Sequence, residues 1–272
     1  MMVDPLVNDH ATTSQSETVH NLILVPTPHE LSLLIKFLPD SLGESQIELC
    51  GFGPIASAAR TSQLLGMQRY HHVFLVGIAG SYMSHPLTVG QAYLFERVRC
   101  HGIGVGSGAT YQSAGDMGWN QLEIGTRILR TQDATYHKHP LETSNAEAAV
   151  TGENPRDQPI GDLLNLSIPL NRREGLQAGK PEQRQAGTLL TSCSASADAT
   201  EAEQRIRLYP DAFAEDMEGF GVTVACHLHE TPITIIRGIS NHVGNRDHAQ
   251  WQIPSAMKSV ADLLSQVINL GQ

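Results

Sequence analysis

The chain alternates short apolar segments with segments of helical periodicity, and this alternation constrains its fold more than any other feature. Apolar runs of strand length occur in NLILVPT, IELCGFG, HVFLVGIAG, QAYLFERV, TLLTSC, AFAEDME and ITIIRGIS. Helical patterns lie between or after them in HELSLLIKFL, PIASAARTSQLLGM, ATEAEQRIRL, GFGVTVACHL and WQIPSAMKSVADLLSQVINL. Strands that alternate with helices favour a parallel sheet covered on both faces. The sequence therefore predicts a single-domain three-layer α/β/α fold with a mixed, mostly parallel central sheet.

Two polar segments depart from this pattern. Residues 1–20 are polar and rich in Ser and Thr, so we expect a disordered tail before a domain that spans residues 21–272. Residues 131–186 are rich in Pro, Gly, Glu and Gln. A loop of this length inside a compact domain is typical of a functional lid or a disordered insertion. The predicted domain is therefore interrupted by one polar insertion.

Charge and cysteine content exclude several classes of partner. The net charge is −10, with 18 basic and 28 acidic residues and no run of Lys or Arg, which is unfavourable for binding nucleic acid or an anionic membrane. No segment approaches the ~18 apolar residues of a membrane span, and the N-terminus lacks the pattern of a signal peptide. Four separated cysteines, Cys50, Cys100, Cys193 and Cys226, are expected to be reduced core thiols. We therefore expect a cytoplasmic protein.

Polar side chains follow the C-terminal ends of the predicted strands. Ligands of parallel sheets bind outside these strand ends. In ITIIRGIS, a strand that begins as core, Arg237 and the following Asn241 would lie at that edge. Glu30 and Glu218 occupy similar places at the starts of helices, where the helix dipole alone can explain an acid. The combination of these four side chains at strand ends favours a binding site over that simpler explanation.

Other motifs do not predict a cofactor or a metal. HGIGVGSG, residues 101–108, has Ser107 at the position where the dinucleotide-binding fingerprint needs its third glycine. GISNH resembles a nucleophile elbow but has His242 in place of the second glycine. The segment CHLH, residues 226–229, has no CxxC or HExxH companion that would complete a zinc site.

Four motifs, in order, resemble those of the nucleoside phosphorylase-I superfamily. VPTPHELSLL resembles its first strand and glutamate, HVFLVGIAGSY its G-x-AG turn, AEDMEG its EMEG signature, and ITIIRGISN its RxIS(D/N) strand end. The resemblance covers about residues 21–272 apart from the insertion. Within the superfamily, CGFGPIASA, GIAGSY, GIGVGSGATYQ and RGISNHVGNRD look most like the futalosine hydrolases, which release hypoxanthine in menaquinone biosynthesis.

The resemblance implies catalytic roles for particular residues. Glu30 matches the glutamate that holds the attacking water, and Arg237 matches the arginine that assists it. Adenine-releasing relatives carry Asp after RxIS, whereas this chain carries Asn241. An amide can donate a hydrogen bond to N7 or O6 of a 6-oxopurine but cannot act as an acid. We therefore expect hydrolysis of a purine nucleoside that releases hypoxanthine, without a cofactor.

The resemblance also implies substrate-binding residues. Glu218 matches the glutamate that binds the ribose hydroxyls, and the preceding Met217 is expected to pack on the sugar. Backbone groups that bind the base are expected near Ala195 and Ser196. Ala79 and Gly80, in the GIAG turn, complete the expected substrate-binding set.

Three alternatives stay open. Phosphorolytic relatives use Ser or Thr and extra Arg residues to hold phosphate, while GIAG has Ile78 in that turn, so hydrolysis is favoured over a purine nucleoside phosphorylase. A methylthioadenosine/adenosylhomocysteine nucleosidase is the other enzymatic alternative. A non-catalytic purine-binding protein is disfavoured because binding a free base needs neither Glu30 nor Glu218. The family further implies a homodimer or a higher homo-oligomer, and Arg246 is a candidate for the benzoate end of futalosine.

Overall fold

The computed structural model describes residues 20–39, 42–123, 159–167 and 184–269. The predicted tail lies outside the described residues except for His20, which begins the first strand. The predicted insertion is described only at residues 159–167 and 184–186. The expected disorder of the tail therefore stays a prediction, and the choice between a lid and a disordered insertion stays open.

Within these ranges the predicted strands and helices occur in the predicted order, and three short strands are present in addition. The strands are β1 (His20–Val25), β2 (Ser45–Leu49), β3 (Tyr70–Ser81), β4 (Ala92–His101), β5 (Gly104–Val105), β6 (Gln112–Ser113), β7 (Leu163–Asn165), β8 (Gln185–Ser192), β9 (Ala212–Asp216) and β10 (Ile233–His242). The α-helices are α1 (Pro28–Phe37), α2 (Pro54–Met67), α3 (Ala199–Leu208), α4 (Gly219–Leu228) and α5 (Ile253–Asn269). The segment HGIGVGSG, which was not expected to bind a dinucleotide, contributes to a small β5–β6 ribbon.

The main sheet is mixed and mostly parallel, as predicted. Its strand order is β10-β4-β8-β9-β3-β1-β2, with β7 added beside β4 and β10 also paired with β3. Parallel pairs join β1 to β2 and β3, β3 to β10, and β8 to β4 and β9. Antiparallel pairs join β10 to β4, β3 to β9, and β4 to β7. The C-terminal ends of β3, β9 and β10 consequently meet in one place.

Helices cover both faces of the sheet, so the predicted three-layer fold is confirmed. Strand β1 alternates its side chains: Leu22 and Leu24 join a core cluster with α2 and α4, and Ile23 and Val25 join another with α1 and α5. Burying each such side chain contributes ~1.5–3 kcal/mol. Helix α5 provides the apolar stripe expected from the C-terminal pattern, because it places Val260 against the second cluster.

A β-bulge interrupts the pairing of β10 with β3. Ile239 is opposite Ala79 and Asn241 is opposite Gly80, so Ser240 is an extra residue in β10. Regular alternation would send adjacent side chains to opposite faces of the sheet. A bulge changes that direction locally, and bulges are frequent beside active sites.

One expectation about the cysteines is wrong. Cys50, Cys100 and Cys226 are buried and free, as predicted for core thiols. Cys193 is exposed, because β8 ends at Ser192 and the chain turns away from the sheet there. In the part of the chain that the structure describes, no helix has the length and apolar character needed to cross a membrane.

Candidate active site

The C-terminal ends of β1, β3, β9 and β10 enclose a cavity of ≈ 260 Å³. Its lining includes most of the residues that the sequence pointed to, namely Glu30, Ala79, Gly80, Ala195, Ser196, Met217, Glu218 and Asn241. Arg237 is the exception among the predicted site residues: it lies behind the cavity wall with its side chain fully buried. The predicted convergence of strand ends thus gives one continuous site.

Local structure at the start of α1 positions Glu30. The hydroxyl of Thr27 caps this helix by accepting from the Glu30 amide at 3.3 Å, and Pro28 supplies the first helical position. The Glu30 carboxylate is 5% exposed, accepts from the amide of Ile78 at 2.9 Å and accepts from the Thr27 hydroxyl at 2.5 Å. Two fixed donors therefore hold this carboxylate in one orientation at the cavity.

Arg237 forms a buried ion-pair cluster with two carboxylates. Its Nη2 donates to Asp216 at 2.5 Å and to Glu218 at 3.1 Å, and its Nε donates to Asp216 at 3.1 Å. Asp216 also accepts from the hydroxyl of Thr191 at 2.6 Å and from the amide of Gly219 at 2.8 Å. Sequence reasoning missed Asp216, although it adjoins the predicted Met217 in the same AEDMEG motif.

The surroundings of Glu218 alter its pKa. Its carboxylate accepts from the amide of Gly53 at 3.1 Å in addition to its contact with Arg237. Burial raises the pKa of Glu218 to about 7, against the opposing effect of Arg237 and with a further increase from Asp216. Glu218 is the N-cap residue of α4, but its side chain makes no capping hydrogen bond to that helix and instead binds Gly53 and Arg237.

Gly77 creates the space that Arg237 and Glu30 share. A Cβ added at Gly77 would lie 2.3 Å from Nη1 of Arg237 and 2.7 Å from Oε1 of Glu30. Nη1 is buried and has no hydrogen-bond partner among the described residues. A side chain on residue 77 would therefore displace Arg237 or Glu30.

The bulge in β10 brings both Ser240 and Asn241 to the cavity. The Ser240 hydroxyl donates to Oδ1 of Asn241 at 2.7 Å. The Asn241 amide nitrogen donates to the carbonyl of His242 at 2.9 Å and to that of Asn245 at 3.3 Å. Asn241 thus lies where the sequence placed it, while its amide hydrogens are directed to the loop that follows β10.

A buried carboxylate holds the loop that carries Ala195 and Ser196. Glu215 accepts from the amide of Ser196 at 2.7 Å and from its hydroxyl at 2.8 Å. Tyr82 and Arg205 donate to the same carboxylate, each at 2.7 Å. Sequence reasoning did not predict this arrangement, because Tyr82, directly after β3, is distant along the chain from Ser196, Arg205 and Glu215.

The outer end of the cavity carries aromatic and basic side chains that sequence reasoning largely missed. Phe52 lines it and is 66% exposed. Trp251, which precedes α5, lines it together with Arg246, His29 and His248. Only Arg246 was singled out from the sequence.

Comparison with known proteins identifies the family. Residues 43–269 match the sequence model of the Phosphorylase superfamily. Because this match covers most of the chain, the protein belongs to the phosphorylase superfamily.

Individual relatives are nucleosidases. The futalosine hydrolase of Streptomyces coelicolor is 25% identical over 222 residues, which is 80% of this chain and 75% of that protein. A 5′-methylthioadenosine/S-adenosylhomocysteine nucleosidase of Bacillus subtilis is 25% identical over 201 residues, or 74% and 69% of the two chains. The interpretation of this chain as an enzyme of the nucleosidase type is confirmed by these relatives.

Solved structures confirm the fold. The 5′-methylthioadenosine/S-adenosylhomocysteine nucleosidase of S. pneumoniae with the transition-state inhibitor MT-ImmA superimposes with a TM-score of 0.64 at 15% identity. The superposition covers 93% of this chain and 100% of that one. At this identity the likeness establishes the architecture and leaves substrate choice to the side chains.

The described residues contain no group of three or more His, Cys, Asp or Glu side chains arranged to hold a metal ion. The carboxylates of the cavity are instead engaged by Arg237, Arg205 and backbone amides. Their arrangement is suited to stabilising positive charge on a bound molecule.

Gly77→Ala should lower the free energy of unfolding by about 1–3 kcal/mol, because the new methyl group overlaps buried charged atoms that have little room to move. Gly66→Ala in α2 is the matched control. Its Cβ would meet only the ring of His229 at 3.8 Å, and alanine favours a helix by ~0.5–1 kcal/mol. Urea unfolding measures both variants; equal stabilities would contradict the crowding assigned to Gly77.

Proposed function

We propose that this protein hydrolyses the N-glycosidic bond of a 6-oxopurine nucleoside, with futalosine as substrate and hypoxanthine and dehypoxanthine futalosine as products. The observation that carries the proposal is the cavity itself, which contains two buried glutamates, Glu30 and Glu218, and has an asparagine, Asn241, at the end of β10. The relationship to a futalosine hydrolase supports the choice of substrate.

The carboxylates suit the charge that develops during cleavage. Breaking the bond between C1′ and N9 leaves positive charge on the sugar and an electron pair on the base. Glu218, near neutrality in pKa, accepts hydrogen bonds from the ribose hydroxyls when ionised. The negative field of Glu218 and Asp216 stabilises the sugar cation, and Arg237 keeps both carboxylates in place.

Glu30 orients and deprotonates the attacking water. Its carboxylate already holds a fixed position through Ile78 and Thr27. Nη1 of Arg237 lies beside Oε1 of Glu30 at Gly77, and its positive charge can stabilise hydroxide character on the oxygen of that water. The water oxygen bonds to C1′, its proton passes to Glu30, and the purine takes a proton from solvent as it leaves.

The charge of the cavity favours water over phosphate as nucleophile. Four carboxylates line it, those of Glu30, Glu215, Asp216 and Glu218. Among its described lining residues Arg246 is the only arginine or lysine, and it is exposed at the outer end. A phosphate dianion placed beside the sugar would therefore meet like charge at short distance.

Asn241 supports a 6-oxopurine over adenine as the leaving base. An amide cannot protonate N7, which a poor leaving group such as adenine requires, whereas hypoxanthine departs more easily. To donate to the base, the Asn241 amide would exchange its longer bond, the one of 3.3 Å to the carbonyl of Asn245. Its shorter bond to His242 and the bond from Ser240 would keep the side chain in place.

A methylthioadenosine/adenosylhomocysteine nucleosidase is the second candidate, supported by the relative from Bacillus subtilis and the shared fold. The deciding experiment is incubation with futalosine, inosine and methylthioadenosine, each with and without phosphate, with identification of the released base. Hypoxanthine release independent of phosphate supports the proposal. Adenine release from methylthioadenosine, or a requirement for phosphate, would replace it with the corresponding alternative.

Glu30→Gln should retain the fold and lower kcat by about 10²–10⁴-fold, because the amide keeps the shape but cannot accept the proton of water. Hypoxanthine release at saturating futalosine measures the effect. Circular dichroism of the variant controls for folding, and a kcat close to that of the unmodified protein would remove Glu30 from this role.

Glu218 should make nucleoside binding depend on pH. Its pKa is raised to about 7, so its ionised fraction increases as pH rises from 6 to 8. Affinity for an unreactive ribonucleoside analogue should therefore increase by up to about tenfold over this interval, since the ionised carboxylate is the better acceptor. Titration calorimetry measures the dissociation constant. Glu218→Gln should bind more weakly and with a flat pH dependence; an unchanged slope in the variant would assign the effect to another group.

Asn241→Asp should shift the choice of base. A carboxylate would face the O6 lone pairs of hypoxanthine, and an unpaired polar contact in a desolvated site costs roughly 10- to 200-fold in kcat/KM. An adenine nucleoside offers N6 donors and a basic N7, which a protonated carboxyl can satisfy. The measurement is kcat/KM for two nucleosides that differ only at C6, at neutral and mildly acidic pH. A constant ratio between them would show that Asn241 does not contact the base.

A further inference from the structure

The outer end of the cavity is built from one cation and three aromatic rings, which we name the outer cluster: Phe52, Arg246, His248 and Trp251. The guanidinium of Arg246 lies 5.1 Å from the centroid of the Trp251 ring. The His248 ring lies 4.4 Å from the same indole. A guanidinium over an indole face is an attractive arrangement that limits the rotamers of the arginine.

The loop around Arg246 uses its own polar groups and leaves the guanidinium available. The carboxylate of Asp247, the nearest acid along the chain, accepts from the amide of Ala249 at 3.1 Å and from the side chain of Gln250 at 2.8 Å. Trp251 donates its indole N–H to the carbonyl of Asn245 at 3.0 Å. Within the described residues, Arg246 forms no ion pair with a carboxylate of this protein.

Charge is therefore divided between the two ends of the cavity. The inner end holds the carboxylates of Glu30, Asp216 and Glu218, which suit a sugar that becomes positive. The outer end holds Arg246 and two imidazoles, those of His29 and His248. A ligand with one anionic group can enter only with that group outward, because the inner carboxylates repel it.

We propose that the outer cluster is a binding subsite for an aromatic carboxylate attached to the sugar end of the nucleoside. Arg246 pairs with the carboxylate, and the exposed faces of Phe52 and Trp251 pack on the aromatic ring. The inference rests on the proposed function, since it takes the inner end to hold the ribose. The benzoate of futalosine has this chemistry, whereas the short uncharged substituent of methylthioadenosine has no group for Arg246.

The exposure of Arg246 determines how much it can contribute to binding the carboxylate. A fork of guanidinium donors matches a carboxylate in geometry and charge. Arg246 is exposed, so salt screens the pair and its effect is modest. We expect Arg246→Met, which keeps an unbranched side chain but removes the guanidinium, to weaken binding of the carboxylate by about 5- to 20-fold.

The test compares futalosine with its methyl ester, which has the same ring and no charge. Titration calorimetry is carried out in the Glu30→Gln background, in which turnover is slow. It gives both dissociation constants for the protein with Arg246 and for each of two substitutions of that residue. Arg246→Met should reduce the preference for the acid over the ester by about 5- to 20-fold, and Arg246→Lys should restore part of it. Raising the salt concentration should reduce the preference for the acid over the ester in the proteins with Arg or Lys at position 246, and should not change it in Arg246→Met.

Arg207→Met is the matched control for the change in net charge. Arg207 is an exposed arginine of α3 that pairs with Glu203, and it does not line the cavity. Its loss should leave the acid-to-ester preference as it was. The subsite would be overturned if the protein with Arg246 unchanged bound acid and ester equally well. It would also be overturned if the preference for the acid remained in Arg246→Met.

A separate readout distinguishes this proposal from the proposed function. Hypoxanthine release from futalosine by the unmodified enzyme reports the reaction, while the acid-to-ester preference reports the subsite. Release without any preference overturns the subsite and supports the function. Preference that depends on Arg246, without release, supports the subsite and overturns the function. In steady-state assays the loss in Arg246→Met should lie in KM, because the guanidinium is remote from the bond that breaks.

Discussion

The structure of the site depends on one fully buried guanidinium. Arg237 is enclosed by protein, and it is tolerated there because Asp216 and Glu218 neutralise it through three charge-assisted hydrogen bonds. Removing one partner of a buried ion pair costs about 3–5 kcal/mol, since the other charge is left unpaired. Although burial lowers the pKa of Arg237, its carboxylate neighbours raise it above its usual value, so the side chain is a permanent cation. The backbone around it must fit that cation, which is why β3 carries Gly77 at the point of closest approach.

This cluster also explains why two adjacent acids behave differently. Asp216 receives two bonds from Arg237, one from Thr191 and one from the amide of Gly219, so its negative charge is well compensated. Glu218 shares the same arginine through a single bond and feels both burial and the charge of Asp216, which raise its pKa. One carboxylate is thereby structural, while the other can exchange a proton or a hydrogen-bond partner near neutral pH. The division of roles arises from the number of donors that each carboxylate receives.

The sequence predicted the layers of the fold and the place of the site, because both follow from local periodicity. Strand and helix order, the mostly parallel sheet, and the meeting of Glu30, Glu218 and Asn241 at strand ends are all consequences of alternation and of where parallel strands end. What the sequence could not provide depends on tertiary contacts and on the path of individual loops. The link from Glu215 to Tyr82 and Arg205 joins three elements, and the turn of Trp251 towards the cavity depends on its bond to Asn245. The bulge at Ser240 belongs to the same category, since it is defined only by pairing with β3.

The bulge has a consequence for how the two ends of the cavity are connected. It allows Ser240 and Asn241 to line the cavity together, and the Ser240 hydroxyl fixes the oxygen of the Asn241 amide. The amide nitrogen then binds Asn245, whose carbonyl also receives the indole N–H of Trp251. A single backbone carbonyl thus joins Asn241 to the tryptophan at the outer end. The carbonyl oxygen of Asn245 has two lone pairs and accepts both bonds, so Asn241 and Trp251 are held to the same point of the loop that follows β10.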